Sequence, residues 1–382
     1  MKFTRYLLAG LIVALCDLAL TPADDVAPKP ARPEVEVVFC LDTTGSMGGL
    51  IDAAKKKIWS ISNQIAAGNP NPHVKIGLVA FRDRGDEYVT KVFDLTDDLD
   101  AVHGNLMKFT ANGGGDFPES VNQALHESVM KIKWSANKKT LKMIFLVGDA
   151  PPHMDYKDDV KYPDTCKLAM LKDIIINTVQ CGRDAQCMKY WKDICRLAEG
   201  SYVQIDQQGG PIVVVATPFD KDLGEINREL TKNTLVYGRG DMQLSGKAKQ
   251  AAGAALPAAE AADRAAFNAR ASGGGNAYDL LTNVKNGTVK LEKLAKEELP
   301  DELKKLNLTE QKEYPEKLDR RRQDLSKQAI ELDQKRSAFI AKKQKEDAKN
   351  TAADSFDGQV LNILQRQAGR ADLRYGAEEK KK

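Results

Sequence analysis

Between residues 33 and 205, short apolar runs rich in β-branched residues alternate with longer stretches of helical spacing, and few folds accept that alternation. Val35 to Leu41 is a mostly apolar run that ends in polar residues, as a central parallel strand does when helices cover both of its faces. Ser46 to Ala66 follows with helical spacing. Val74 to Phe81 reads as a second strand and Tyr88 to Phe93 as a third at the edge. Pro118 to Ile132 reads as a helix with Pro in its first turn. Leu141 to Val147, Asp164 to Asp173, Ile174 to Val179, Ala185 to Ala198 and Tyr202 to Ile205 continue as strand, helix, strand, helix and closing strand. Right-handed βαβ crossovers between such elements build an α/β fold with a doubly wound, mostly parallel sheet, which binds ligands beyond the carboxyl ends of its strands.

Two distinctive polar clusters sit at those ends. After the first strand comes Asp42-Thr43-Thr44-Gly45-Ser46-Met47, with a carboxylate and two hydroxyls at alternate positions in one turn. Hard oxygen donors so placed suit Mg²⁺, Mn²⁺ or Ca²⁺. Alternatively, Ser46 caps the helix that opens at Met47. Asp149 ends another central strand and faces the same crevice, followed by Ala150-Pro151-Pro152-His153. Gly113-Gly114-Gly115-Asp116-Phe117-Pro118-Glu119 adds a tightly turned acidic loop.

On these three loops, residues 33–238 resemble the von Willebrand factor type A domain, whose metal-ion-dependent adhesion site is a DxSxS motif with a Thr and an Asp from two later loops. Asp42, Thr44 and Ser46 stand at the DxSxS positions, Thr replacing the first Ser, and Asp149 matches the later Asp. The resemblance implies that the hydroxyls bind the ion directly and the two Asp through water. Where the family carries its middle-loop Thr, this chain has Asp116, in a GGGDxPE form that looks like an extracellular and bacterial subgroup. A third carboxylate lowers the positive charge left to attract a partner's acid. Asp116 is therefore expected either to bind the metal with Asp42, Thr44, Ser46 and Asp149, or to turn away and accept backbone N–H groups. His153 and Asp155 border the site as supporting groups or partner contacts, and Glu119 is expected to start a helix, where the dipole favours its charge. Arg82 to Glu87 reads as a charged hairpin turn, self-paired or touching a partner, and contains an Arg84-Gly85-Asp86 tripeptide.

The flanking regions have other compositions. Residues 1–23 show a basic start and an apolar run, Tyr6 to Cys16, too short to span a bilayer, which reads as an export signal or N-terminal anchor. Residues 24–32 read as a Pro-containing linker and 239–275 as an Ala/Gly-rich one ending in a Gly hinge. Residues 276–382 read as a helical region in which Pro300 and Pro315 start new helices. There Leu318, Leu325, Leu332 and Phe339 recur every seven residues, but the companion positions Arg322, Ala329 and Arg336 leave half a coiled-coil seam polar. A helix laid along the body fits better than a long dimeric coil.

Beyond the leader lie five cysteines, Cys40, Cys166, Cys181, Cys187 and Cys195. Cys40 reads as a buried thiol. Cys187 and Cys195 lie on one predicted helix, about 12 Å apart, too far for a disulfide. No CxxC pair supports a zinc site on these thiols. The 57 basic and 54 acidic residues nearly cancel, so no global field singles out nucleic acid or membrane. No Gly-x-Ser-x-Gly, HExxH, Walker loop or Cys-His pairing supports an enzyme. The expectation is an exported, periplasmic, cell-envelope or secreted module that contacts a protein or surface polymer through a divalent cation. A cell-envelope scaffold and a metal-assisted hydrolase are the rival readings.

Overall fold

The computed structural model describes residues 32–212, 214–271, 277–346 and 355–375. The expected leader, most of the first linker, the Gly hinge and the terminal lysines lie outside the described residues.

Six strands form one sheet in the order β3-β2-β1-β4-β5-β6. They are β1 (Glu34–Asp42), β2 (His73–Phe81), β3 (Thr90–Thr96), β4 (Leu141–Gly148), β5 (Ile174–Cys181) and β6 (Tyr202–Ile205). All neighbours pair parallel except β2 with β3. Because β1 lies between β2 and β4, the winding reverses there. The crevice beyond the ends of β1 and β4 is the topological switch point where such sheets bind ligands.

Alternation along β1 sorts its side chains between two cores. Val35, Val37, Phe39 and Leu41 join one, with Met143, Phe145 and Val147 of β4. Val38 and Cys40 join the other, with Ile144 and Leu146. Over the second core lie α3 (Val121–Met130), α4 (Tyr162–Leu171) and α5 (Ala185–Leu197). Over the first lie α1 (Gly48–Ala66) and α2 (Leu99–Leu106), the latter not foreseen from its spacing.

The chain then continues as α6 (Asp220–Lys232), α7 (Gly240–Ala254), α8 (Ala258–Ala271), α9 (Leu280–Lys285), α10 (Leu308–Glu346) and α11 (Phe356–Gln367). The linker expected over 239–275 is corrected by α7 and α8. Alanine is the best helix former, and its small side chain lets α8 approach closely, so Ala261, Ala262, Ala265 and Ala266 are all buried. Phe267 of α8 and Phe356, Val360, Ile363 and Leu364 of α11 enter the first core. The described residues thus form one compact unit.

Leu325 and Ala329 of α10 pack against Leu223 and Ile226 of α6 and Ala262 and Ala265 of α8. The polar half of the heptad stripe is spent on ion pairs. Arg336 donates to Asp220 and Asp263, each at 2.7 Å, and Arg322 to Asp279 at 2.7 and 2.9 Å. Pro315 does not start a helix; it lies inside α10, and Pro300 opens a turn. None of the described helices is long and apolar enough to cross a membrane. The five cysteines are buried free thiols. Burial pushes the Cys40 and Cys166 thiols up to about 12, which disfavours thiolate chemistry.

Candidate metal centre

At the end of β1 the chain turns through a 3₁₀ segment, Gly45–Met47, directly into α1. Asp42 is fully buried, and its Oδ1 accepts from the Thr44 backbone N–H at 2.9 Å and the Thr44 hydroxyl at 2.7 Å. Thr44 Oγ1 lies 3.4 Å from Ser46 Oγ. Neither the 3₁₀ segment nor α1 takes a side-chain cap, so these hydroxyls are not used for capping. Asp42, Thr44 and Ser46 therefore come together as their spacing suggests.

Gly148 brings β4 against this turn. A methyl group there would stand 2.9 Å from Asp42 Cβ and 3.0 Å from its Oδ2. Asp149, next in the chain, repels Asp42 through its charge. Its own Oδ2 accepts from Gln207 Nε2 at 2.6 Å, a contact from beyond β6 that no sequence motif signalled.

The middle loop corrects two expectations. Glu119 does not start α3, which begins at Val121; it precedes the helix and points into the cluster. Its N–H donates to Pro151 O at 3.0 Å and its carbonyl accepts from His153 N–H at 3.1 Å, which pins residue 119 beside the β4 loop. Gly113 and Gly114, both at φ +75°, bend the chain close to Thr44: a methyl on Gly114 would stand 2.8 Å from Glu119 Oε1 and 2.9 Å from Thr44 Cβ. Asp116, expected either to bind with Asp42 or to turn away onto backbone N–H groups, groups instead with Asp83 and His153. The reason is the loop's direction, since Glu119, three residues on, fills the place beside Thr44. A DxxE spacing after glycines offered both carboxylates, and Asp83 stands just past the end of β2.

The Arg84-Gly85-Asp86 segment is used internally. Asp86 Oδ2 accepts from Asp83 N at 3.1 Å and Gly114 N at 3.0 Å, while Arg84 pairs with Asp158 at 3.0 Å and Asp159 at 2.8 Å. Buried Arg82 donates to Thr43 O at 3.1 Å and Thr110 O at 2.8 Å, tying the β1, β2 and middle loops together.

Electrostatically the centre brings several carboxylates together out of water. Burial, then the nearby Asp149, raises the Asp42 carboxyl to about 7. Burial, then Asp42, Asp83, Asp86 and Asp149, raises Glu119 to about 9. Asp42 Oδ2 and Glu119 Oε2 are buried without a hydrogen-bond partner among the described residues. Unsatisfied buried carboxylate oxygens are costly, and a cation would satisfy both. The donors fit a hard divalent ion: Asp42, Glu119 and Asp149 offer carboxylates, and Thr44 and Ser46 hydroxyls.

Residues 36–217 match the family model of the von Willebrand factor A domain. The chain is 38% identical over 120 residues to von Willebrand factor A domain-containing protein 7 of Rattus norvegicus, and 37% identical over 120 residues to that of Homo sapiens. Each match covers 31% of this chain and 12% of the relative, so the chain spans only a small part of those proteins. Among solved structures, the SpRpn10 VWA domain is similar over 48% of this chain and all of its own, at 18% identity and a TM-score of 0.36. Proximal thread matrix protein 1 from the mussel byssus is similar over 46% of this chain and 42% of its own, at 15% identity and a TM-score of 0.36.

Proposed function

We propose that this chain is a binding module whose A-domain region contacts a protein or surface polymer through a divalent cation, with no catalytic step. The observation that carries the reading is the pair of partnerless buried oxygens, Asp42 Oδ2 and Glu119 Oε2, beside two hydroxyls at the switch point of the sheet. Asp42, Thr44, Ser46, Glu119 and Asp149 would hold the ion, and Mg²⁺, Mn²⁺ or Ca²⁺ matches their oxygen donors. The ion's chemistry is that of a Lewis acid that accepts a partner's oxygen. Gln207 orients the Asp149 carboxylate. The basic and then apolar residues at 2–16 support export to an envelope or secreted location.

The test is a pull-down from the native cell envelope with the full chain, in Mg²⁺, in chelator, and with Asp42→Ala. Capture that depends on Mg²⁺ and is lost in the variant supports the module. Capture indifferent to both would sink it. Turnover of an ester or phosphate that is abolished by Asp149→Ala would instead favour an enzyme.

A further inference from the structure

His153 lies just past β4 and is 4% exposed. Its ring stacks on Tyr156, with centroids 4.0 Å apart and planes within 8°, and its carbonyl accepts from Asn122 Nδ2 at 2.6 Å, so the imidazole is fixed. Nδ1 lies 2.8 Å from Asp155 Oδ1. Asp155 accepts, so the Nδ1 proton is held there and the Nε2 lone pair is directed elsewhere. Among the described residues Nε2 has no hydrogen-bond partner, and at 3.4 Å it faces another acceptor, Asp83 Oδ2. Asp116 supplies a third ligand atom, and the three atoms lie within 4.8 Å of one another.

Asp83 is 3% exposed and held from behind, its Oδ1 accepting from Ser120 Oγ at 2.6 Å and its Oδ2 from Tyr156 Oη at 2.8 Å. Three acceptors thus converge, and the neighbouring donor, Tyr156 Oη, is directed at Asp83 and leaves Nε2 unsatisfied among the described residues. Two ligands on a tetrahedral ion with bonds of about 2.0 to 2.1 Å stand about 3.3 to 3.4 Å apart, which is the His153 to Asp83 separation. The carboxylate behind the imidazole completes the arrangement in which a metal-bound His donates its other N–H to an acid.

We propose that Asp83, Asp116 and His153 form a second cation site that takes a borderline divalent ion such as Zn²⁺. It shares no ligand with the Asp42 cluster. One imidazole and two carboxylates suit Zn²⁺ better than the all-oxygen set next door, and three protein ligands leave a fourth position open. Asp116 is exposed, so the open position faces solvent. The competing occupant of the gap is a proton on Nε2, which would make His153 an imidazolium paired with Asp83 and Asp155.

The full chain, stripped with chelator, is titrated with Zn²⁺ by calorimetry, and its Co²⁺ form is read by absorption for tetrahedral d–d bands. Asp42→Ala removes the neighbouring cluster while leaving this site intact, so failure of the proposed function and of this site are distinguishable. In that background one Zn²⁺ is expected to bind. Asp116→Asn and His153→Gln are each expected to weaken it tenfold or more, and Asp155→Ala by about 10- to 100-fold. Asp116 and Asp155 are exposed, so their variants remain informative if His153→Gln does not fold. The site is overturned if the Asp42→Ala chain binds no Zn²⁺ at tens of micromolar. It is equally overturned if Asp116→Asn and Asp155→Ala leave the affinity within twofold.

Discussion

Arg264 of α8 grips Asp100 of α2 with two parallel hydrogen bonds, Nε to Oδ1 at 2.8 Å and Nη2 to Oδ2 at 2.7 Å. The side chains are 4% and 9% exposed, and Arg264 Nη1 donates as well to Asn227 and Thr231 of α6. One guanidinium therefore joins three helices. Breaking a buried pair leaves the other charge uncompensated, a cost of about 3–5 kcal/mol. Arg264→Ala is expected to lower the unfolding free energy by that amount, read as a lower denaturant midpoint with the steepness of the transition unchanged. A loss under 1 kcal/mol would mean that water replaces the guanidinium.

The same pair shows where sequence reading runs out. The alternation of β1, β2, β4 and β5 with helices was legible because buried parallel strands must be apolar throughout, and Asp42 and Asp149 were legible because they stand at the carboxyl ends of such strands. The ion pairs of Arg264, Arg322 and Arg336 were not. A polar residue in a helical stripe looks like a solvated face until its partner, dozens of residues away, is known. Glu119 was misassigned for a related reason: its distance from the helix start depends on how two positive-φ glycines bend the loop.

A fragment ending at Gly238 carries the whole sheet, yet it lacks the cover that α8 and α11 provide. Phe356 meets Phe39 at 6.1 Å between ring centroids, and Val360, Ile363 and Leu364 fill the same core. The amides of Asn177 and Gln367 also bond reciprocally, at 3.1 and 2.8 Å. Removing these helices exposes a contiguous apolar face. Residues 33–238 alone are expected to aggregate or to bind a hydrophobic dye, and a monodisperse fragment with the cooperative melt of the full chain would contradict this.

Gly148→Ala tests how closely β4 must approach Asp42. The added methyl would press on Asp42 Cβ and Oδ2 and stand 3.3 Å from the Trp191 ring, itself fully buried. Neither neighbour has room to retreat, so overpacking of about 1–3 kcal/mol is expected. Because the strain falls on a donor of the centre, Mg²⁺ affinity should drop further than stability alone accounts for. Calorimetry at a temperature where the variant is fully folded separates the two effects.

The raised carboxyls set a pH dependence whose sign reverses with metal. Without a cation, folded Asp42 and Glu119 keep their protons up to about pH 7 and about pH 9, whereas unfolded carboxyls release theirs near pH 4. Across that interval the folded state binds more protons than the unfolded state, so stability falls as pH rises. Their contribution is fully present below the unfolded value and is lost as pH climbs through 7 and then 9. A divalent ion needs the ionised forms, so its affinity grows over the same range. In chelator, the melting temperature should decline by several degrees from pH 5 to pH 8, and the increment on adding Mg²⁺ should be larger at pH 8 than at pH 5. A Mg²⁺ increment that is the same at both pH values would show that Asp42 and Glu119 do not share the ion, and Glu119→Gln, which removes one of the two titrations, should flatten the decline.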